Sequence, residues 1–129
     1  SNKRSISVFG VMDGHGGKEC AQFCSEDVPV RIATHLRNGT SCPDALYQAF
    51  RESDTECLET QACGNSGSTA NVAMYDTSSN LFYIANTGDT RAVLSRNGKA
   101  LDLSYDRKGN DPEEIARVVK AGGFVSKGR

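Results

Sequence analysis

The spacing of apolar residues changes once along this chain, near residue 65, and that change limits what it can fold into. From about 18 to 61 apolar side chains recur every three or four residues, the repeat of a helix that buries one face. From 68 onward they recur at every second residue, the repeat of a strand with one buried face. Gly64 to Gly67 marks the change. Ahead of the helical part, residues 6–13 (Ile-Ser-Val-Phe-Gly-Val-Met-Asp) read as a buried strand. The order predicts an α+β fold: a strand, two helices, then an antiparallel sheet.

Within the helical part, Cys24, Val28, Ile32 and Leu36 share one face of a helix over roughly 18–37. Pro29 lies inside it and predicts a kink or a restart. A second helix is predicted over 43–61, with Ser41 or Cys42 ahead of it and Pro43 in its first turn. Its inner stripe is Leu46, Ala49, Phe50, Ser53, Cys57 and Leu58. Four alternating runs follow: Ala70, Val72 and Met74; Leu81, Tyr83 and Ala85 opposite Phe82, Ile84 and Asn86; Ala92 and Leu94; Leu101 and Leu103. Asn97-Gly98 between two of these runs is a strong hairpin signal, and the whole reads as an antiparallel meander. A last helix is predicted over 112–121. Asp111 and Glu114 have capping-box spacing, Pro112 takes the first helical position, and Gly122-Gly123 ends the helix. Phe124-Val125 would then start another strand. An open sheet of this kind leaves edges and one face to cover, so the sequence is expected to be part of a larger unit.

At 129 residues there is enough chain for one compact domain. Fifteen basic residues face sixteen acidic ones, a balance that argues against nucleic-acid and anionic-membrane partners, which select basic patches. There is no unbroken apolar run long enough to span a bilayer, and no secretory leader is recognisable. Ser1 and Asn2 carry no weight in the reading. Five cysteines, an odd number, then point to reduced thiols in an intracellular protein, cytoplasmic or nuclear. His15, Cys20 and Cys24 invite comparison with metal ligands. Structural zinc sites favour paired Cys-x-x-Cys spacing, however, and a core role suffices for Cys24. Asn38-Gly39-Thr40 fits a glycosylation pattern but reads better as a turn.

The strongest chemical signal is Asp13-Gly14-His15-Gly16-Gly17, at the end of the apolar run. A carboxylate there is costly to bury unless a cation or hydrogen-bond donors meet it. Glycines let the backbone turn sharply and offer its carbonyl oxygens. Carboxylate plus carbonyl oxygen suits a hard cation such as magnesium or manganese. A histidine beside it can exchange protons near neutral pH. Read alone, the motif is also compatible with a plain tight turn or with a phosphate-cradling loop. The dinucleotide fingerprint fails because Glu19 stands in the last glycine's place. The P-loop pattern fails at Met12 and Glu19. A second signal is Asn86-Thr87-Gly88-Asp89-Thr90-Arg91, which could equally be a hairpin turn in which Asp89 only bonds the backbone. Ser66-Gly67-Ser68-Thr69-Ala70 by itself shows only a small-residue loop entering a strand.

Taken together, these stretches resemble a known family. Val8-Phe9-Gly10-Val11-Met12-Asp13-Gly14-His15-Gly16-Gly17, Ser66-Gly67-Ser68-Thr69-Ala70 and Ala85-Asn86-Thr87-Gly88-Asp89-Thr90-Arg91-Ala92-Val93-Leu94 resemble signatures of the metal-dependent Ser/Thr protein phosphatases of type 2C. Leu103-Ser104-Tyr105-Asp106-Arg107-Lys108, with Glu114, Arg117 and Ala121-Gly122-Gly123-Phe124-Val125, is similar to a fourth block. The resemblance implies an α-β-β-α sandwich, in which antiparallel β-sheet layers are flanked by helices and metal ions sit at one end. It implies two or more Mn2+ or Mg2+ ions and a metal-activated water that attacks phosphorus in line. Asp13 would bridge two metals, and Gly14 would offer its carbonyl to one. His15 would be the general acid, and Asp89 would serve a further, weaker metal site. The partners implied are proteins phosphorylated on serine or threonine. The remaining glycines and the 66–70 loop would be structural.

The sequence also departs from that pattern. The family's fourth block usually reads Asp-His-Lys-Pro, where this chain has Asp106-Arg107-Lys108-Gly109. The family's acidic pair and phosphate-binding arginine precede the Asp-Gly-His-Gly-Gly block, and Arg4 is too close to serve as that arginine. Two further metal-binding aspartates would follow Arg129. Residues 1–129 are therefore expected to be a partial catalytic domain, without the first strand and the C-terminal part. Alone it would be inactive or weakly active. Two other readings are a shortened relative that binds phosphoproteins without hydrolysing them, and self-association of the truncated chain to cover its core.

Overall fold

The computed structural model describes residues 5–128. The elements run β1 (Ile6–Val11), β2 (Gly14–His15), α1 (Glu19–Arg37), α2 (Cys42–Thr60), β3 (Gly67–Ser68), β4 (Ala70–Asp76), β5 (Leu81–Thr87), β6 (Val93–Arg96), β7 (Lys99–Asp102) and α3 (Pro112–Lys120). The α+β expectation holds. The described helices include none long and apolar enough to cross a membrane.

The main sheet is β1-β4-β5, all antiparallel, with β4 in the centre. Val8 faces Met74, which faces Tyr83 on the other side; Gly10, Val72 and Ala85 align in the same way. One sheet face therefore presents Ile6, Val8, Val72, Met74, Tyr83 and Ala85 to the helices. Val28 and Ile32 of α1 and Cys42, Leu46 and Ala49 of α2 complete the core. Ile32, Ala49 and Met74 are fully buried. Cys24 packs against this cluster, as its helical spacing predicts.

The opposite face is a different surface. Phe9 is 64 %, Val11 62 % and Phe82 56 % exposed. Phe82 keeps one aromatic neighbour, Tyr75 across the strand pair, with ring centroids 4.7 Å apart. The run at 6–13 is thus an edge strand with an uncovered outer face, where a fully buried strand was expected. It also stops at Val11, because the chain leaves the ladder to form the loop around Asp13.

Several other expectations need correction. The meander divides: β4 pairs with β5 and β6 with β7, but β6-β7 forms its own two-stranded sheet. The intervening Gly88–Ala92 segment leaves the ladder, and Leu103 lies beyond the end of β7. Helix α1 runs through Pro29 as one element, so the helix does not restart there. Pro29 is on the exposed side, where water can bind the carbonyl that loses its donor. Leu58 points out to solvent instead of joining the inner stripe. Asp111 does cap α3, but its carboxylate accepts from the Glu113 N–H, while Glu114 is drawn to Arg117 and does not close a capping box. Phe124-Val125 forms no strand. The cysteines are not all reduced, since Cys57 and Cys63 are joined as a disulfide. Gln61 adopts a left-handed backbone at the end of α2, and the reversal brings Cys63 back beside that helix.

Other signals hold. Ser41 caps α2 by accepting from the Asp44 N–H. Gly39, at φ +84°, ends the turn after α1. Asn97 and Gly98 both have positive φ, the backbone of a tight hairpin turn.

Replacing Ile32 with alanine is expected to cost about 2–5 kcal/mol of stability, since it empties the middle of the core. Leu58→Ala should change stability by no more than about 0.5 kcal/mol. Urea unfolding of the two variants checks the contrast, and equal effects would mean that the core is misassigned.

Candidate active site

Beyond β1, the backbone at Asp13 is held by one residue. The Asp13 N–H donates to the Thr69 hydroxyl at 3.2 Å. The Thr69 N–H donates to the Asp13 carbonyl at 2.9 Å. Gly14 and His15 then pair with Ser68 and Gly67 in a two-residue ladder. The His15 ring lies directly over Gly67: a Cβ there would sit 2.5 Å from His15 Nε2. Gly16 and Gly17, at φ +70° and +145°, turn the chain into α1. Lys18 at the helix N-cap makes no side-chain cap. Ser66 replaces it from the other segment, its hydroxyl accepting the Cys20 N–H at 2.9 Å.

Asp13, Gly14 and His15 are all solvent-exposed. The burial cost expected for Asp13 from its place after an apolar run therefore does not arise. The phosphate-cradle reading also weakens. The Glu19 carboxylate folds back against Gly17, so a negative charge already lies at the start of the helix.

Asp89 lies in the connection from β5 to β6, also exposed. Gly88, at φ +87°, packs against Thr69 so closely that a Cβ would meet Thr69 Cγ2 at 2.7 Å. The Gly88 carbonyl accepts the Arg107 N–H at 2.8 Å. The Asn86 side-chain amide donates to the Tyr105 carbonyl at 2.9 Å and to the Gly88 carbonyl at 3.2 Å. The Asn86 side-chain oxygen accepts from Asn71 Nδ2 at 2.8 Å, and Asn71 also reaches the buried Ser104 hydroxyl. Ser104 in turn accepts the Ala92 N–H at 2.9 Å. On the surface, Arg91 Nε bonds Asp106 at 2.7 Å and Lys108 adds a second contact at 3.1 Å. The Arg91 bond, then the Lys108 bond, draw the Asp106 carboxyl down to about 2. Residues 103–108 thus strap the Asp89 loop in place. The strap uses the backbone N–H of Arg107, so that bond does not depend on the side chain at 107.

The structure therefore brings the Asp13 and Asp89 segments together through Thr69, with His15 two residues beyond Asp13. Their donors are carboxylate and carbonyl oxygens, the chemistry that suits a hard divalent cation. The set is sparse. Among the described residues, neither aspartate joins a group of three ligand-type side chains within 4.8 Å; the group that does so is Cys20, Cys57 and Cys63. Cys20 thus joins Cys57 and Cys63, with Cys24 as a further neighbour, and not a group that includes His15. Sequence reasoning missed Thr69, Asn71, Asn86 and Ser104 as positioning residues. The available signal was Asn71, a polar side chain in a largely apolar strand.

The chain is similar to known proteins in sequence and in fold. The sequence model of the family described as Protein phosphatase 2C matches residues 1–129. The chain is similar to "Probable protein phosphatase 2C 4" of Paramecium tetraurelia, 37 % identical over 98 % of this chain and 46 % of the relative. It is also similar to "Probable protein phosphatase 2C member 13, mitochondrial" of Oryza sativa subsp. japonica, 38 % identical over 95 % of this chain and 34 % of the relative. Its fold is similar to that of the Mycobacterium tuberculosis serine/threonine phosphatase PstP/Ppp, at a TM-score of 0.59 and 20 % identity, covering 98 % of this chain and 55 % of that one. The chain spans less than half the length of the two curated relatives. With its whole length matched, the chain belongs to the protein phosphatase 2C family.

Proposed function

We propose that this chain is part of a catalytic domain that hydrolyses phosphoserine and phosphothreonine in other proteins. The observation that carries the reading is the meeting of the Asp13 and Asp89 loops on Thr69. In the complete domain, the Asp13 carboxylate, the Gly14 carbonyl and the Asp89 carboxylate would hold Mn2+ or Mg2+, two or more ions in all. Bound ions of this kind neutralise phosphate charge and activate water. His15 is exposed beside Asp13 and seated on Gly67, so its imidazole can reach a substrate and give a proton to the departing alkoxide oxygen. An intracellular location, cytoplasmic or nuclear, goes with that substrate class.

Taken alone, residues 1–129 should hold metal weakly, since few anionic ligands surround Asp13 and Asp89. The same sparse set favours a second reading, in which the chain binds phosphoproteins without hydrolysing them. Manganese-dependent phosphate release from a phosphothreonine peptide separates the two. Turnover supports the first; tight peptide binding with no release, in the longest natural form of the protein, supports the second.

In that longest form, Asp13→Ala should abolish activity even at high manganese, and near-normal turnover would overturn the metal assignment. His15→Gln should slow phosphopeptide hydrolysis about 10²-fold while slowing an aryl phosphate much less, because a good leaving group needs little proton donation. Gly67→Ala should reproduce the His15→Gln pattern, since the added methyl displaces the His15 ring. If Gly67→Ala slowed both substrates equally, the seat under His15 would not be its role.

A further inference from the structure

Three sulfur atoms lie together behind the Asp13 loop. The Sγ atoms of Cys20, Cys57 and Cys63 are all within 4.8 Å of one another. Two of them form the Cys57–Cys63 disulfide, and Cys20 remains a thiol. Cys20 is 9 % and Cys63 4 % exposed, whereas Cys57 is only half-buried. We infer that these three cysteines form a thiol–disulfide exchange centre, in which Cys20 displaces Cys57 from Cys63.

The chemistry balances within the cluster. The bridge first forms when the Cys57 and Cys63 thiols give two electrons and two protons to a small-molecule disulfide, which becomes two thiols. In the exchange, the Cys20 thiolate attacks Cys63 Sγ. The Cys57–Cys63 bond breaks, a Cys20–Cys63 bond forms, and Cys57 leaves as a thiolate that takes up the proton Cys20 lost. Cys57 is favoured as the leaving thiolate because, of the two bridged residues, it is the more exposed. Cys24 does not compete: burial, then its neighbour Cys20, push its thiol up to about 12, so it stays protonated.

The exchange moves a covalent tie towards the candidate site. Cys57 anchors the loop to the end of α2, whereas Cys20 is in the first turn of α1. Ser66 already links the same two segments, accepting from Cys20 N–H and donating its hydroxyl to the Cys63 carbonyl at 2.6 Å. Gly67, next in sequence, carries the His15 ring. A Cys20–Cys63 bridge would therefore clamp both strands of the His15 turn from behind, and its formation does not depend on the phosphatase reading.

The test is disulfide mapping of the full chain after equilibration with reduced and oxidised glutathione. Samples are quenched in acid, alkylated under denaturing conditions, and digested without reduction by trypsin and a glutamate-specific protease. Fragmentation distinguishes Cys20 from Cys24. The wild type should yield both Cys57–Cys63 and Cys20–Cys63 peptides, and Cys57→Ser should yield Cys20–Cys63. Cys20→Ser should retain only Cys57–Cys63. The inference fails if wild-type Cys20 is always alkylated or carries only glutathione. It fails equally if Cys57→Ser leaves Cys20 and Cys63 both alkylated under conditions that close the wild-type bridge.

Discussion

The two-way hydrogen bonding between Asp13 and Thr69 is the contact on which the rest of the site depends. Neither residue is in a strand, yet the exchange continues the ladder across the point where β1 and β4 part. Thr69 uses its hydroxyl and amide on Asp13 and its methyl on Gly88. Its carbonyl also accepts from the Ser68 hydroxyl at 2.7 Å. A serine lacks the methyl that meets Gly88, and a valine lacks the hydroxyl that accepts the Asp13 N–H, so each would lose one of these contacts. Glycine at 88 follows from the same contact, since any side chain there would strike Thr69 and its φ of +87° is itself a glycine conformation.

Around that junction the protein places polar side chains where a strand would ordinarily be apolar. Asn71, Asn86 and Ser104 form a connected set in which each buried donor and acceptor is matched. Among the described residues, no buried side-chain nitrogen or oxygen lacks a partner. A network of this kind is costly to break at any one member, because the remaining groups lose their bonds without regaining water. The cost keeps the Asp89 loop in one geometry although its tip is exposed. The Arg91–Asp106 pair on the outside adds less, since solvent screens it.

Much of this was legible in the sequence. Helical spacing at Val28, Ile32, Leu46 and Ala49 located the core, and Asn97-Gly98 located a hairpin. Asp13, His15 and Asp89 stand where a site could form. The misses share a cause: they depend on what lies next to a segment in space. Period-two alternation could not tell that β6 and β7 leave the main sheet, because the break is made by hydrogen bonds from residues 103–107. Leu58 fits a helical stripe, but the core does not extend along α2 that far. Five cysteines counted along a line gave no sign that three would meet, since Cys20 and Cys57 come together only when α1 and α2 pack. Thr69 looked like loop filler because its partners, Asp13 and Gly88, are on opposite sides of it in sequence.

The order of the chain has a kinetic consequence. β1 pairs with β4 across both helices, and the Asp13–Thr69 contact spans 56 residues. Helices α1 and α2 are sequential neighbours and can dock after a short loop closes, whereas the β1–β4 pairing must wait for a much larger closure. β4 and β5, joined by the Thr77–Asn80 turn, are likewise local. The helical pair and the β4–β5 hairpin are thus the early pieces, and β1 is added last along the edge of β4. The loop that bears Asp13 and His15 takes its shape only with that final strand, so an unassembled chain presents a nearly complete core and an unformed site.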